Sequence, residues 1–174
     1  MKNVILILFL LFSVFNDIKS QISNNSNFII VDSLRDSVGL VYWNNKPYSG
    51  IAVAYYSEGK IFSVTEYFEG EKNGVETIYS QEGNKLSETS YKNNKYNGIM
   101  ITYYSSGKKE SERMYVNDYM NGICKVWYEN GKIKSEGNYR DCHEDGYWCY
   151  WYDNGEKEKE GYYNNGMKEG VWKL

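Results

Sequence analysis

Apolar and aromatic residues recur along this chain at steps of two within short stretches, and the stretches themselves recur every 24 residues. One such position is Ile51, Val75, Ile99, Ile123, Tyr147 and Val171. Four residues further on stands an aromatic (Tyr55, Tyr79, Tyr103, Trp127, Trp151), and a third position is always tyrosine: Tyr67, Tyr91, Tyr115, Tyr139 and Tyr163. A step of two is the period of a strand, whose side chains alternate between faces, and not that of a helix. Each copy therefore predicts a β-hairpin. An unbroken period predicts one small unit copied in tandem, each copy packing on its neighbours.

Glycine marks the same period. Gly50, Gly74, Gly98, Gly122, Gly146 and Gly170 form one column, and Gly59, Gly83, Gly107, Gly131 and Gly155 form another nine positions later. Within a copy the strands are joined by segments such as Glu129-Asn130-Gly131-Lys132, where glycine takes positive φ without steric cost. Between copies the chain reads Asn73-Gly74, Asn97-Gly98, Asn121-Gly122 and Asp145-Gly146, strong short-range hairpin signals. Tight reversals throughout predict an all-β fold, an elongated single-layer antiparallel meander. The single proline, Pro47, precedes the first full copy, so none removes a ladder donor inside the array.

Loop length decides which columns share a face. A two-residue loop would put the tyrosine column opposite the Ile/Val and first aromatic columns, whereas a three-residue loop ending in a left-handed glycine with a bulge puts them together; the second segregates the residues better, gathering Val75, Thr77, Tyr79, Ser87, Thr89 and Tyr91 on one side. Successive copies are then two strands, about 9.6 Å, apart. Tyrosines of one column thus need an interleaved aromatic column to touch, and the partner strand's Tyr/Trp column is expected to supply it. In this register Trp148, Tyr150, Tyr152 and Tyr162 lie on the face away from that spine. An aromatic cluster exposed there marks a contact surface and makes these four the candidate partner-binding residues; the alternative is that the terminus or the leader covers this face.

The N-terminus adds a location. Met1-Lys2-Asn3, an apolar run from Val4 to Phe15 and a small residue at Ser20 read as a secretory signal peptide over residues 1–20, too short to span a membrane. Cleavage near Ser20 predicts an exported chain, periplasmic or secreted. Residues 21–37 lack the repeat and read as a leader, with Phe28-Ile29-Ile30-Val31 a possible edge strand. Residues 38–49 resemble the second half of a copy, Trp43 aligning with Tyr67, and are expected to cap the array. Five full repeats and a terminal partial one then occupy residues 50–174. The net charge of −3 argues against nucleic acid, which calls for a basic face.

The pattern Gly-x4-Tyr/Trp-Tyr-x-Asn-Gly-Lys-x3-Glu-x2-Tyr, carried best by Gly122, Trp127, Tyr128, Asn130, Gly131, Lys132, Glu136 and Tyr139, and again from Gly146 to Gly166, resembles the bacterial variant of the MORN (membrane occupation and recognition nexus) repeat, an antitoxin-like family. The resemblance covers residues 40–174. It implies a twisted sheet of hairpins, and roles in protein scaffolding, phospholipid contact or toxin neutralisation.

Four features could carry chemistry. The glutamate column Glu88, Glu112, Glu136 and Glu160 is spaced near the roughly 9.5 Å limit of glycosidase carboxylate pairs and does not converge, so it reads as a charge-balanced face neutralised by Lys109, Arg113, Lys132 and Lys134. Cys142-His143 sits at an inter-copy turn, without the converging third group that a nucleophile and base require. Cys124, Cys142 and Cys149 are an odd number, and Cys124 and Cys149 have opposite parity on strands separated by another. The late rings are the fourth feature. No catalytic residue, cofactor or metal ligand is predicted. The reading is an exported non-enzymatic scaffold binding a protein or glycan of the cell envelope. The alternative is an antitoxin-like neutraliser of a toxic protein, while lipid head groups would need a basic stripe.

Overall fold

The computed structural model describes residues 28–30, 35–37 and 39–174. The segment read as a signal peptide lies outside them. Every described regular element is a strand: β1 (Phe28–Ile30), β2 (Arg35–Ser37), β3 (Leu40–Trp43) and β4 (Lys46–Pro47) precede the array. Hairpins follow as β5 (Gly50–Tyr55) with β6 (Ile61–Phe68), β7 (Glu71–Tyr79) with β8 (Lys85–Lys92), and β9 (Lys95–Tyr103) with β10 (Lys109–Val116). They continue as β11 (Tyr119–Trp127) with β12 (Ile133–Arg140), β13 (His143–Trp151) with β14 (Lys157–Asn164), and the single strand β15 (Met167–Lys173). β5 to β15 pair consecutively and antiparallel in one sheet, so the all-β meander of tandem hairpins is the observed fold. β1 adds to its first edge in parallel, Phe28 opposite Ile51, and β2 to β4 form a separate three-stranded sheet.

Each hairpin closes through the three-residue loop that its glycine foretold. In the second copy the Ser80 N–H donates to the Asn84 carbonyl at 2.8 Å, the Gly83 N–H donates to the Ser80 carbonyl at 2.9 Å, and Gly83 has φ 89°. One further residue then bulges from the returning strand. Tyr79 faces Lys85 but Ile78 faces Ser87, leaving Leu86 unpaired; Phe62, Glu110, Lys134 and Glu158 are the corresponding extra residues of the other copies. A one-residue slip moves every later side chain to the opposite face. The expected register is thereby overturned. Tyr91 lies opposite Gly74, Thr89 opposite Glu76 and Ser87 opposite Ile78, whereas Val75, Thr77 and Tyr79 share the other face with Ser90 and Glu88.

The copies do not join at the Asn-Gly pairs either. The turn between the second and third copies is Asn93-Asn94, both left-handed at φ 51° and 63°, with Lys92 facing Lys95. Glu69-Gly70, Asn117-Asp118, Asp141-Cys142 and Asn165-Gly166 do the same elsewhere. Asparagine and aspartate tolerate this region because their short polar side chains bond locally. The glycine column lies within the strands instead. Asn97, Gly98 and Ile99 together oppose the single residue Ser90, and Gly98 takes φ 117°. A Cβ on Gly74 would meet the Glu66 side chain at 2.0 Å, and one on Gly98 would meet Ser90 Cβ at 2.8 Å. These positions need glycine for both conformation and space. Gly83 and Gly107, with nothing within 4 Å, need it for conformation alone.

Burial concentrates on the face carrying the tyrosine column. Ala52, Ser63, Thr65, Thr89, Ser111, Cys124, Ser135 and Trp148 are buried there. Small residues lie flat beneath rings: Tyr91 and Tyr96 have centroids 5.1 Å apart, Tyr96 and Tyr115 5.5 Å, Tyr139 and Trp148 5.2 Å, and Tyr163 and Trp172 4.9 Å. The interleaved rings are therefore Tyr96, Trp148 and Trp172. They are not the Tyr55-to-Trp151 column, which the bulges carry to the other side.

At the N-terminal end Tyr48 and Ala52 form a small core, with Val41, Trp43 and Tyr67 packed against it. The Asn44-Asn45 turn places Trp43 opposite Lys46, where Phe68 opposes Glu71 in the first copy. Trp43 thus takes the place of Phe68, one position off the alignment with Tyr67. The β3–β4 hairpin docks beside the Glu69-Gly70 turn, as the Val41 N–H donates to the Gly70 carbonyl at 2.9 Å and the Gly70 N–H to the Tyr48 carbonyl at 2.8 Å.

Candidate interaction surface

Four late aromatic residues were expected to share one exposed face. The structure separates them, because the bulge reverses parity. Trp148 is 3% exposed, and its indole N–H donates to the Asn138 carbonyl at 3.1 Å. Tyr150 stacks beside it at 5.9 Å and lies 6.2 Å from Trp172, within the tyrosine face. Both belong to the structural spine and are covered by neighbours. Tyr152 is exposed at a hairpin turn, its backbone bonding Glu156 and Gly155. Only Tyr162 stands on the opposite sheet face, paired with Tyr147, their rings 5.0 Å apart.

That opposite, open face carries the feature the sequence reading placed in the interior. The Ile/Val column forms an exposed stripe: Val75, Ile99, Ile123 (59% exposed), Tyr147 and Val171. Across the strand from it lie Ser90, Met114, Asn138 and Tyr162, so the cross-strand pairs Ile99–Met114 and Tyr147–Tyr162 widen it. Met114 and Tyr162 are also exposed. One signal in the sequence could have revealed this stripe. Its same-strand, same-face neighbours include Lys125 and Lys173, residue types that rarely line an interior.

The glutamate column borders the stripe and is charge-balanced, though mostly by other lysines than those expected. Lys85 reaches Glu88 at 2.7 Å, Lys109 reaches Glu112 at 2.7 Å, Lys125 reaches Glu136 at 2.8 Å, and Lys157 pairs with Glu160. Arg113 is carried to the tyrosine face, where its guanidinium donates to the Ser111 hydroxyl at 2.6 Å. Lys132 reaches the Asn154 carbonyl, and Lys134 lies over the Tyr128 ring at 5.4 Å. The ammonium of Lys85 holds the Glu88 carboxyl below its ordinary value, with the Tyr103 hydroxyl adding to the effect. The Glu160 carboxyl is held down likewise, first by Lys157 and then by Tyr147. Tyr147 is raised in turn by donating to that carboxylate.

The cysteines do not converge. Cys124 is buried on the tyrosine face, its thiol pushed up by desolvation, while Cys149 lies on the open face beside Glu160, Sγ to oxygen 3.7 Å. Cys142 is exposed in the Asp141-Cys142 turn, and all three are free thiols. At equivalent turns a carboxylate or amide oxygen accepts a backbone N–H from the preceding copy, Lys72 to Asn94 at 2.7 Å and Tyr96 to Asp118 at 2.8 Å. At Cys142 the sulfur occupies that place, 3.2 Å from the Met120 nitrogen. This thiol is a weak substitute for a capping oxygen. His143 Nδ1 lies 2.9 Å from the Asp141 carbonyl oxygen. Among the described residues no group of three His, Cys, Asp or Glu side chains is placed to hold a metal.

Comparison with known proteins bears on the repeat itself. The model of the family described as the MORN repeat variant matches four tandem segments, residues 72–93, 96–117, 120–141 and 144–165. Each begins just after one inter-copy turn and ends within the next. No curated protein matches the chain.

Proposed function

Because the chain belongs to the MORN repeat variant family, a non-enzymatic family of repeats that generally bind proteins or membranes, we propose that it is an exported scaffold holding a protein of the cell envelope against its open face. The exposed stripe from Val75 to Val171 carries this reading. Covering one such apolar side chain contributes roughly 1.5–3 kcal/mol, and the stripe offers one about every 9.6 Å. Several modest contacts on a stiff sheet then sum to a specific interface.

A protein suits this face better than a lipid surface does. Binding to anionic head groups needs unpaired cations, and Lys85, Lys109, Lys125 and Lys157 are each engaged by a glutamate. Export rests on the charged, apolar and small-residue succession of residues 1–20, which also separates this reading from neutralisation of a cytoplasmic toxin.

Tagged chain expressed in a bacterial host should be found cleaved near Ser20 outside the cytoplasm. Capture from an envelope fraction should yield a protein that is lost with the Ile99→Ser, Ile123→Ser double variant and retained with Ser87→Ala on the tyrosine face. Uncleaved chain in the cytoplasm, or capture indifferent to the double variant, would overturn the proposal.

A further inference from the structure

Lysines lie over two rings of the aromatic column on the open face. Lys85 lies over the Tyr103 ring at 5.8 Å, and Lys109 over the Trp127 ring at 5.4 Å. The next member of that lysine column is Ile133. Among the described residues no cation stacks on Trp151, and Trp151 lines an open depression of about 270 Å³ with Ile123, Glu136, Asn138, Tyr147 and Cys149. An isoleucine replaces the roofing lysine here, as Ile61 does beside Tyr79, and the Trp151 indole is half-buried.

From this geometry we infer a glycan subsite: the depression takes one neutral pyranose unit of a β-linked hexose polymer, its apolar face against Trp151 and Tyr147. An aromatic platform supplies area at low entropic cost, and a sugar presents a C–H face to it. Its hydroxyls need acceptors and donors beside the platform, which the Glu136 carboxylate and the Asn138 amide provide. Charge excludes an acidic sugar. Lys125 is committed to Glu136 at 2.8 Å, while Lys157 and Lys173 attend Glu160, so among the described residues no free cation faces the depression. The volume is below the roughly 300–1,000 Å³ of drug-sized pockets, as suits a single ring, and a longer oligomer runs on along the sheet. The subsite shares the open face with the protein-binding reading but stands on Trp151, which is half-buried at the depression, so either can fail alone.

Titration calorimetry and tryptophan fluorescence with chitotetraose and cellotetraose test it on the full chain after signal removal, with a heparin tetrasaccharide as the acidic comparison. Saturable binding of at least one neutral oligomer is expected, weakened at least tenfold by Trp151→Ala. Ile133→Lys should weaken it similarly by placing over Trp151 the roof that Lys85 and Lys109 form over Tyr103 and Trp127, and circular dichroism melts would verify its fold. Ser87→Ala, on the tyrosine face, should leave it unchanged. Absence of saturable binding to both neutral oligomers, preference for the heparin fragment, or a folded Ile133→Lys chain that binds as well as the parent would each overturn the subsite.

Discussion

The first and last copies fill the same place on the tyrosine face in opposite ways. In the first, Ala52 stands opposite Thr65 and is fully buried because Tyr48 and the residues around it fold over the position. In the fifth, the residue of that column is Trp148, and it covers the sheet itself by lying flat on Gly137, where a Cβ would come within 2.1 Å of the indole. Trp172 repeats the arrangement over Gly161, a Cβ there falling 2.6 Å from its ring. Small beside small needs a cap from outside the array, whereas large over glycine makes its own. A single layer lacks a second sheet to bury against, so one of these two devices must appear wherever rings are to leave water.

Trp148→Ala tests that contrast most severely. It removes the largest buried side chain of the C-terminal half and should cost about 3–5 kcal/mol in urea unfolding. Gly137→Ala should be comparably harmful alone yet nearly neutral when added to Trp148→Ala, since the methyl then has room; strictly additive losses would break the account. Tyr48→Ala ought to destabilise the N-terminal copy while leaving hydrogen exchange in β13 to β15 unchanged, because from β5 onward each strand pairs only with its sequence neighbours and, at the first edge, β1.

Next in size is a contrast between the two glycine columns. Gly98→Ala should cost several times more than Gly83→Ala, for which roughly 1 kcal/mol of backbone strain is expected, because only Gly98 is also short of space. Equal melting-temperature shifts would show that conformation alone matters. Smaller still, Cys142→Asn should stabilise by about 0.5–1 kcal/mol by returning an oxygen acceptor to the Met120 N–H.

The mildest effects concern pH. Glu88 and Glu160 have folded-state values below the ordinary carboxylate value of 4.5, so their contribution is complete above that pH and is lost as pH falls through the depressed values. Burial raises Tyr48 and Tyr139 from 10.0 to about 12, so theirs is complete below pH 10 and is lost as pH rises toward 12. Melts across both windows should show the alkaline loss as the cooperative one, because these tyrosines sit in the packed face. An acid transition of equal size would place the glutamate column among the main supports of the fold.

Much of this was legible in the residues. The 24-residue period, the hairpins and the left-handed loop glycines follow from local chemistry, as turn geometry depends on a few adjacent side chains. The inter-copy turns were read at Asn97-Gly98 instead of Asn93-Asn94, since a glycine with positive φ inside a strand looks the same in sequence as one at a turn. The bulge residues Phe62, Leu86, Glu110, Lys134 and Glu158 share no chemical character, so nothing in composition announced them. Missing that one residue exchanged the faces and made Trp148 and Tyr150 appear exposed and Ile99 and Ile123 buried.

The sequence by itself therefore determined the repeat, its strand content, its consecutive antiparallel order and the family to which it belongs. Only the tertiary structure decided which columns share a face. Side-chain parity is set by the sum of every loop and bulge between two strands, and the bulge is chosen by whether the rings and small residues of neighbouring copies interlock once the sheet is assembled.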